Sequence, residues 1–160
     1  MLSSLADCFE ELDREENCRA LLLTSNGSAF SAGGNFQSGN PTAKGLTKKG
    51  KGHIYDEAVW LFSNKKPIVE AVNGAAIGGG LGLTLVPDFR VACPEARFAA
   101  NFTRLGFHPG FGLTYTLPNL IGQQHAYDMF YTGRRVKGDE ALQMGLVDRL
   151  VPKEDLLEEA

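Results

Sequence analysis

Apolar residues fall along this chain in two rhythms, and the alternation between them predicts an α/β fold. Leu2, Leu5, Phe9 and Leu12 recur at helical spacing with acidic residues between them, which predicts an amphipathic helix over 1–14. Residues 20–24, Ala-Leu-Leu-Leu-Thr, do not alternate, so the spacing predicts a strand buried on both faces. Helical periodicity returns over 54–62 through Ile54, Val59, Leu61 and Phe62. A β-branched apolar run at 68–72, opened by Pro67, reads as the next strand.

Beyond it, strands are predicted over 88–93, 97–102 and 146–151, with helices over 113–121, 123–131 and 137–144. Gly145 ends the last of these helices, and another helix opens after Pro152. Two stretches rich in turn residues interrupt the pattern: 39–52, with Lys44, Lys48, Lys49 and Lys51, and 106–112 around His108. The first reads as a basic solvated loop, with contact to a phosphate as the alternative.

The chain is organised around the segment that follows the strand at 68–72. Asn73-Gly74 breaks that strand, and Gly78-Gly79-Gly80 opens a short apolar helix ending near Leu85. Adjacent glycines belong where the backbone takes unusual angles or is closely approached. At a helix start they also leave N–H groups without helical partners. Two readings stay open on spacing alone: a packing turn, or a backbone cradle for negative charge.

A phosphate cradle does not fit. Position 83 or 85 would need glycine for G-x-G-x-x-G and both are leucine, and no G-x-x-x-x-G-K-[ST] occurs. A developing oxyanion remains.

Composition narrows the picture little. The chain has 160 residues, is 43% hydrophobic and 22% charged, and predicts one domain running over 1–160. A net charge of −3 offers no global field for nucleic acid. Cys8, Cys18 and Cys93 have no paired spacing, so reduced thiols, no metal cluster and a cytoplasmic setting are expected. No basic-then-apolar leader and no bilayer-length apolar run are present, which predicts no membrane association.

Residues 29–35 (Ala-Phe-Ser-Ala-Gly-Gly-Asn), 66–74 (Lys-Pro-Ile-Val-Glu-Ala-Val-Asn-Gly) and Gly78-Gly79-Gly80 carry a resemblance. Asp88, Gly106, Pro109-Gly110, Gly112, Thr132-Gly133-Arg134, Glu140-Ala141 and Gly145-Leu146-Val147 extend it over nearly the whole chain. Together they resemble the crotonase (enoyl-CoA hydratase/isomerase) family. The resemblance implies a ββα spiral core with surrounding helices, assembled as trimers or hexamers. It implies an acyl-CoA thioester as ligand, with coenzyme A part of the substrate and no separate cofactor. Carried over by position, the N–H groups of Gly34 and Gly79 form the oxyanion hole that stabilises a thioester enolate. Ala32, Gly33, Asn35, Phe36, Gln37, Gly78 and Phe102 line the substrate; Asn35 stands where the family usually has Asp.

The resemblance breaks at the acids. Hydratases of the family use two glutamates, and the corresponding positions here are Gly82 and Phe102, neither of which moves a proton. Ordinary hydration is therefore not expected. His108 is a candidate base, with Asn101 and Tyr115 as polar groups able to orient a substrate. Glu70 is expected to be paired at a sheet face or subunit contact. The family's first strand pair and its C-terminal helices have no counterpart, which implies weakened nucleotide binding. Hydratase, isomerase, decarboxylase and thioester hydrolase chemistry stay open. The rival readings are a non-catalytic acyl-CoA-binding or interaction module, and a degenerate fragment with no ligand.

Overall fold

The structure is a computed structural model that describes residues 1–34 and 54–160, with the side chains of 54–57 excepted. Asn35, Phe36, Gln37 and the basic loop at 39–52 lie outside the described residues. The described residues fall in two compact units. The first carries 1–21, Gly34 and 54–67; the second carries Leu22–Gly33 and Ile68–Ala160.

In the first unit, helix α1 (Leu2–Arg14) packs against α2 (Ile54–Leu61), burying Ala6, Phe9, Ala58 and Leu61. Of the apolar positions noted above, Phe9 and Leu61 lie on this face, whereas Val59 and Phe62 are exposed. The end of α1 is fastened by the segment that precedes Ile68. Lys66 Nζ donates to the carbonyls of Leu12 and Glu15, and the Asp13 carboxylate accepts from the Lys65 N–H at 3.2 Å. A cation on the last carbonyls of a helix satisfies acceptors that have no helical partner.

The second unit holds two sheets, and consecutive strands largely alternate between them. The four-stranded sheet runs β1 (Leu21–Leu23), β2 (Ile68–Val72), β4 (Phe89–Ala92), β7 (Arg149–Leu150). The three-stranded sheet runs β3 (Ala75–Ile77), β5 (Arg97–Ala99), β6 (Val136–Lys137). β2 pairs with β4 in parallel, with Glu70 opposite Arg90, and β4 pairs in parallel with β7. β3 pairs in parallel with β5, and β5 antiparallel with β6. Helices α3 (Gly79–Leu83), α4 (Leu113–Ile121), α5 (Gln123–Thr132), α6 (Gly138–Gln143) and α7 (Leu156–Glu159) fill the intervals.

Several expectations shift. The strand at 97–102 is cut to Arg97–Ala99 because Phe102 already takes helical angles and caps a 3-10 turn over Thr103–Leu105. The last strand shrinks to Arg149–Leu150. β1 is not buried on both faces: Leu21 is buried, but Leu22 is 49% exposed, because β1 stands at the sheet edge. β3 and β6 are strands that the pattern did not announce, being three and two residues long.

Candidate active site

The two glycine clusters meet inside the second unit. Ser31 forms a parallel bridge with Ala76, its N–H donating to Ala75 O at 2.9 Å and its carbonyl accepting from the Ile77 N–H at 2.9 Å. The bridge holds because a glycine stands where Ser31 passes α3. A Cβ on Gly80 would lie 2.1 Å from Ser31 O and 2.8 Å from Ser31 C, a clash with backbone. Two residues on, Gly33 takes φ +83, and a Cβ there would lie 2.6 Å from Ile77 O and 3.6 Å from the Gly79 nitrogen. Only glycine accepts both that angle and that approach.

The second cluster turns from β3 into α3 at Gly78, whose φ is +58 and whose N–H donates to Ala99 O at 2.8 Å. No side chain caps α3. Gly79 is its first residue, so its N–H has no acceptor within the helix. The turn before β3 is held from outside: Asn73 Nδ2 donates to Ser25 O and Gly27 O at 2.8 Å each. Ser28 O passes Gly74 where a Cβ would sit 2.4 Å away.

Three side chains complete the surroundings of Gly78–Gly82. A Cβ on Gly78 would lie 3.1 Å from Asn101 Oδ1 and 3.9 Å from Phe102 Cζ, so both residues reach the turn. Phe102 is buried there. Its 3-10 turn is anchored to the end of α5, with Thr103 Oγ1 donating to Phe130 O at 2.8 Å and Arg104 Nε to Thr132 O at 3.0 Å.

The third residue, Phe111, was legible in the sequence only as part of a glycine-rich loop. It is 3% exposed, holds the unusual φ of +57, and lies against α3. A Cβ on Gly82 would meet its Cβ at 2.5 Å and its ring carbons at 2.6–2.7 Å, and a Cβ on Gly79 its Cδ2 at 3.9 Å. The absence of a side chain at position 82 is thus a steric requirement of this loop. Nothing in the linear pattern marks it.

His108 is exposed in its loop, and Tyr115 is 76% exposed on α4. Ala32 is exposed beside Gly33, and Gly34 belongs to the first unit.

Glu70 is buried in the sheet, 0% exposed, and among the described residues neither carboxyl oxygen has a hydrogen-bond partner there. Arg90, opposite it in the register, turns its Nη atoms elsewhere, Nη1 donating to Pro87 O at 2.7 Å, and Nη2 to Asp88 O at 3.1 Å and Asp148 Oδ2 at 3.3 Å, while its buried Nε has no hydrogen-bond partner among the described residues. Burial pushes the Glu70 carboxyl well above the usual carboxylate range, and the charge of Arg90 only partly opposes this. Asp88, by contrast, is structural as expected, its Oδ2 accepting from the Ile68 N–H at 2.9 Å. Glu95 sits in its turn, and its carboxyl is held below the ordinary value by hydrogen bonds from its own N–H and from the Cys93 thiol. Among the described residues, no group of three or more His, Cys, Asp or Glu could hold a metal ion. Nor is any helix long and apolar enough to cross a membrane.

The fold is shared with known proteins. A family model described as enoyl-CoA hydratase/isomerase matches residues 1–160. The chain belongs to that family, the crotonase superfamily, and has its α/β fold. The glyoxysomal fatty acid beta-oxidation multifunctional protein MFP-a of Cucumis sativus is 34% identical over 168 residues, covering 100% of this chain and 22% of that protein. A crystal structure of an enoyl-CoA hydratase/isomerase from Pseudoalteromonas atlantica superposes with a TM-score of 0.88 at 35% identity, covering 99% of this chain and 61% of that one. A monofunctional enoyl-CoA isomerase from M. smegmatis superposes with a TM-score of 0.78 at 35% identity, covering 99% and 66%. The chain therefore spans about two thirds or less of the length of each of these relatives.

Proposed function

We propose that this chain binds an acyl-CoA thioester and holds its carbonyl oxygen between the backbone N–H groups of Gly34 and Gly79, stabilising the enolate that forms when charge moves onto that oxygen. The observation that supports this most is the seating of Ser31–Gly33 on β3 and α3. It sets Gly33 against the Gly79 nitrogen, and Gly34 follows in the chain. Fixed backbone donors in a water-poor setting need no reorganisation as charge develops, and one such donor is worth about 2.7–4 kcal/mol in the transition state. Ala32, Gly33, Asn35, Phe36, Gln37 and Gly78 would line the thioester, with the Phe102 ring against the acyl carbons. Hydration by paired carboxylates does not belong to this proposal, because Gly82 and Phe102 offer no acid or base. His108 is retained as the proton-transfer candidate, and a homo-oligomer, trimer or hexamer, as the assembly.

A second reading, a non-catalytic acyl-CoA-binding module, is favoured by one observation: among the described residues, the side chains found nearest Gly78–Gly82 are those of Ser31, Asn101, Phe102 and Phe111, none of which titrates near neutrality. A turnover screen over acyl- and enoyl-CoA esters separates the two. Turnover lost in His108→Ala supports the enzyme; binding of acetyl-CoA without turnover of any ester supports the module. No thermal shift with any thioester at millimolar concentration contradicts both.

A further inference from the structure

We infer that Asn26 is a self-modification site of this chain. Its side-chain amide is attacked by the backbone nitrogen that follows it, and the isoaspartate formed unfastens the turn that seats Ser31–Gly33.

Two asparagines in the chain precede glycine, in Asn26-Gly27 and Asn73-Gly74. A following glycine leaves its nitrogen unhindered by a Cβ and lets the backbone rotate into the geometry of attack. The Gly27 nitrogen forms a bond to Asn26 Cγ and gives up its proton. The Cγ–Nδ2 bond breaks, and Nδ2 leaves as ammonia with that proton. Water then opens the five-membered succinimide at either carbonyl. One product is aspartate; the other is isoaspartate, in which the main chain runs through the side-chain carbons. Nothing is oxidised or reduced, and solvent water is the only co-reactant.

The two dipeptides lie against each other in the second unit, and one of them is locked. Asn73 Nδ2 donates to Ser25 O and Gly27 O at 2.8 Å each, and turning its Cγ onto the Gly74 nitrogen breaks both bonds. Ser28 O also presses on Gly74, 2.4 Å from where a Cβ would stand, which restrains that backbone. Asn26 is exposed in the bend that follows β1, and among the described residues its side chain makes no hydrogen bond. Gly27 is exposed as well. Its N–H donates to Ser25 Oγ at 3.2 Å, at the long end of the usual range, so the nitrogen is weakly held.

The same contacts define the consequence. Ser25 O and Gly27 O flank Asn26 and converge on one atom, Asn73 Nδ2. Isoaspartate adds one carbon to the main chain between them, which displaces one carbonyl relative to the other. At least one of the two bonds is then lost. Ser28, pressed on Gly74, follows directly, and Ser31 beyond it is paired with β3.

The test ages the full chain in neutral buffer and maps it by peptide mass spectrometry, with isoaspartyl methyltransferase labelling to mark isoaspartate. Isoaspartate is expected at residue 26, forming about tenfold faster than at residue 73, where hydrogen bonds must first break. Gly27→Ala should slow it several-fold; a Cβ there meets nothing closer than Ala29 O at 3.4 Å, so the variant is accommodated. Aged wild type should melt at a lower temperature than fresh protein, and aged Gly27→Ala should not. An unmodified residue 26, or residue 73 reacting as fast, overturns the assignment without recourse to any variant. Ageing of Gly27→Ala at the wild-type rate overturns the role of the glycine nitrogen. Isoaspartate at residue 26 with an unchanged melting temperature overturns its effect on the turn.

Discussion

Two places beside β2 treat charge in opposite ways. Where the chain runs on into Gly78–Gly82, the nearest neighbours among the described residues are backbone, the Ser31 Cβ, one amide and two phenyl rings. In the middle of the same strand, Glu70 buries a carboxyl with no hydrogen bond. A strongly displaced carboxyl is ordinarily a pointer to chemistry. Here Glu70 is an acid enclosed in a sheet face beside an arginine whose Nη atoms serve carbonyls and Asp148. The contrast teaches that a perturbed titration marks a site only when backbone geometry puts a ligand beside it.

The glycine side should break most sharply. Gly80→Ala places a methyl group 2.1 Å from Ser31 O, where backbone must move. The expected loss is about 3 kcal/mol or more, read as a melting temperature lower by roughly 10 °C. A variant that melts with the wild type would show that the two clusters are not pressed together. Asn73→Ala removes both hydrogen bonds that tie the β2–β3 turn to Ser25 and Gly27. Chemical denaturation should register about 1–3 kcal/mol, since two carbonyls lose their donor.

The Glu70 side is tested by pH. Its folded carboxyl titrates above its unfolded value, so the neutral acid's contribution is fully present below the ordinary carboxylate pKa. It is lost as pH rises toward the raised folded value. Across that window, unfolding free energy should fall with pH at up to about 1.4 kcal/mol per unit for this one proton. Glu70→Gln, neutral and of the same shape, should flatten the slope; equal slopes in the two proteins would mean that the carboxyl ionises freely. The smallest effect is expected at His108. Exposed in its loop, it should change stability by no more than about 0.5 kcal/mol on replacement by alanine. Any larger effect of His108→Ala should therefore appear in turnover alone.

The sequence made most of this legible where a single element carries its own signal. β2, buried on both faces, matches the β-branched run at 68–72 residue for residue, and α4 matches its periodic stretch because burial on one face imposes a period. The glycine triplet likewise announced a backbone feature. Other features depend on partners distant in the chain. β3 and β6 are too short to show any period and exist through pairing with β5. The exposure of Leu22 follows from β1 being an edge strand, which the apolar run could not tell from a central one. Phe111 belongs to this class too. Its place is set by the missing side chain at Gly82, and its positive φ is unexpected for an aromatic residue. Glu70 stands on β2 with Ile68 and Val72, but its lack of a hydrogen bond among the described residues, like that of Arg90 Nε, depends on side-chain placement that no linear pattern carries.

The donor role of Gly79 can be tested by Gly79→Pro. Proline is tolerated at the first position of a helix, and there it replaces the N–H donor by a ring carbon that fills the acceptor's place. Titrations of the folded variant with acetyl-CoA and with coenzyme A should show acetyl-CoA weakened about tenfold, the worth of one hydrogen bond, and coenzyme A unchanged. Equal affinity of variant and wild type for acetyl-CoA would contradict the account.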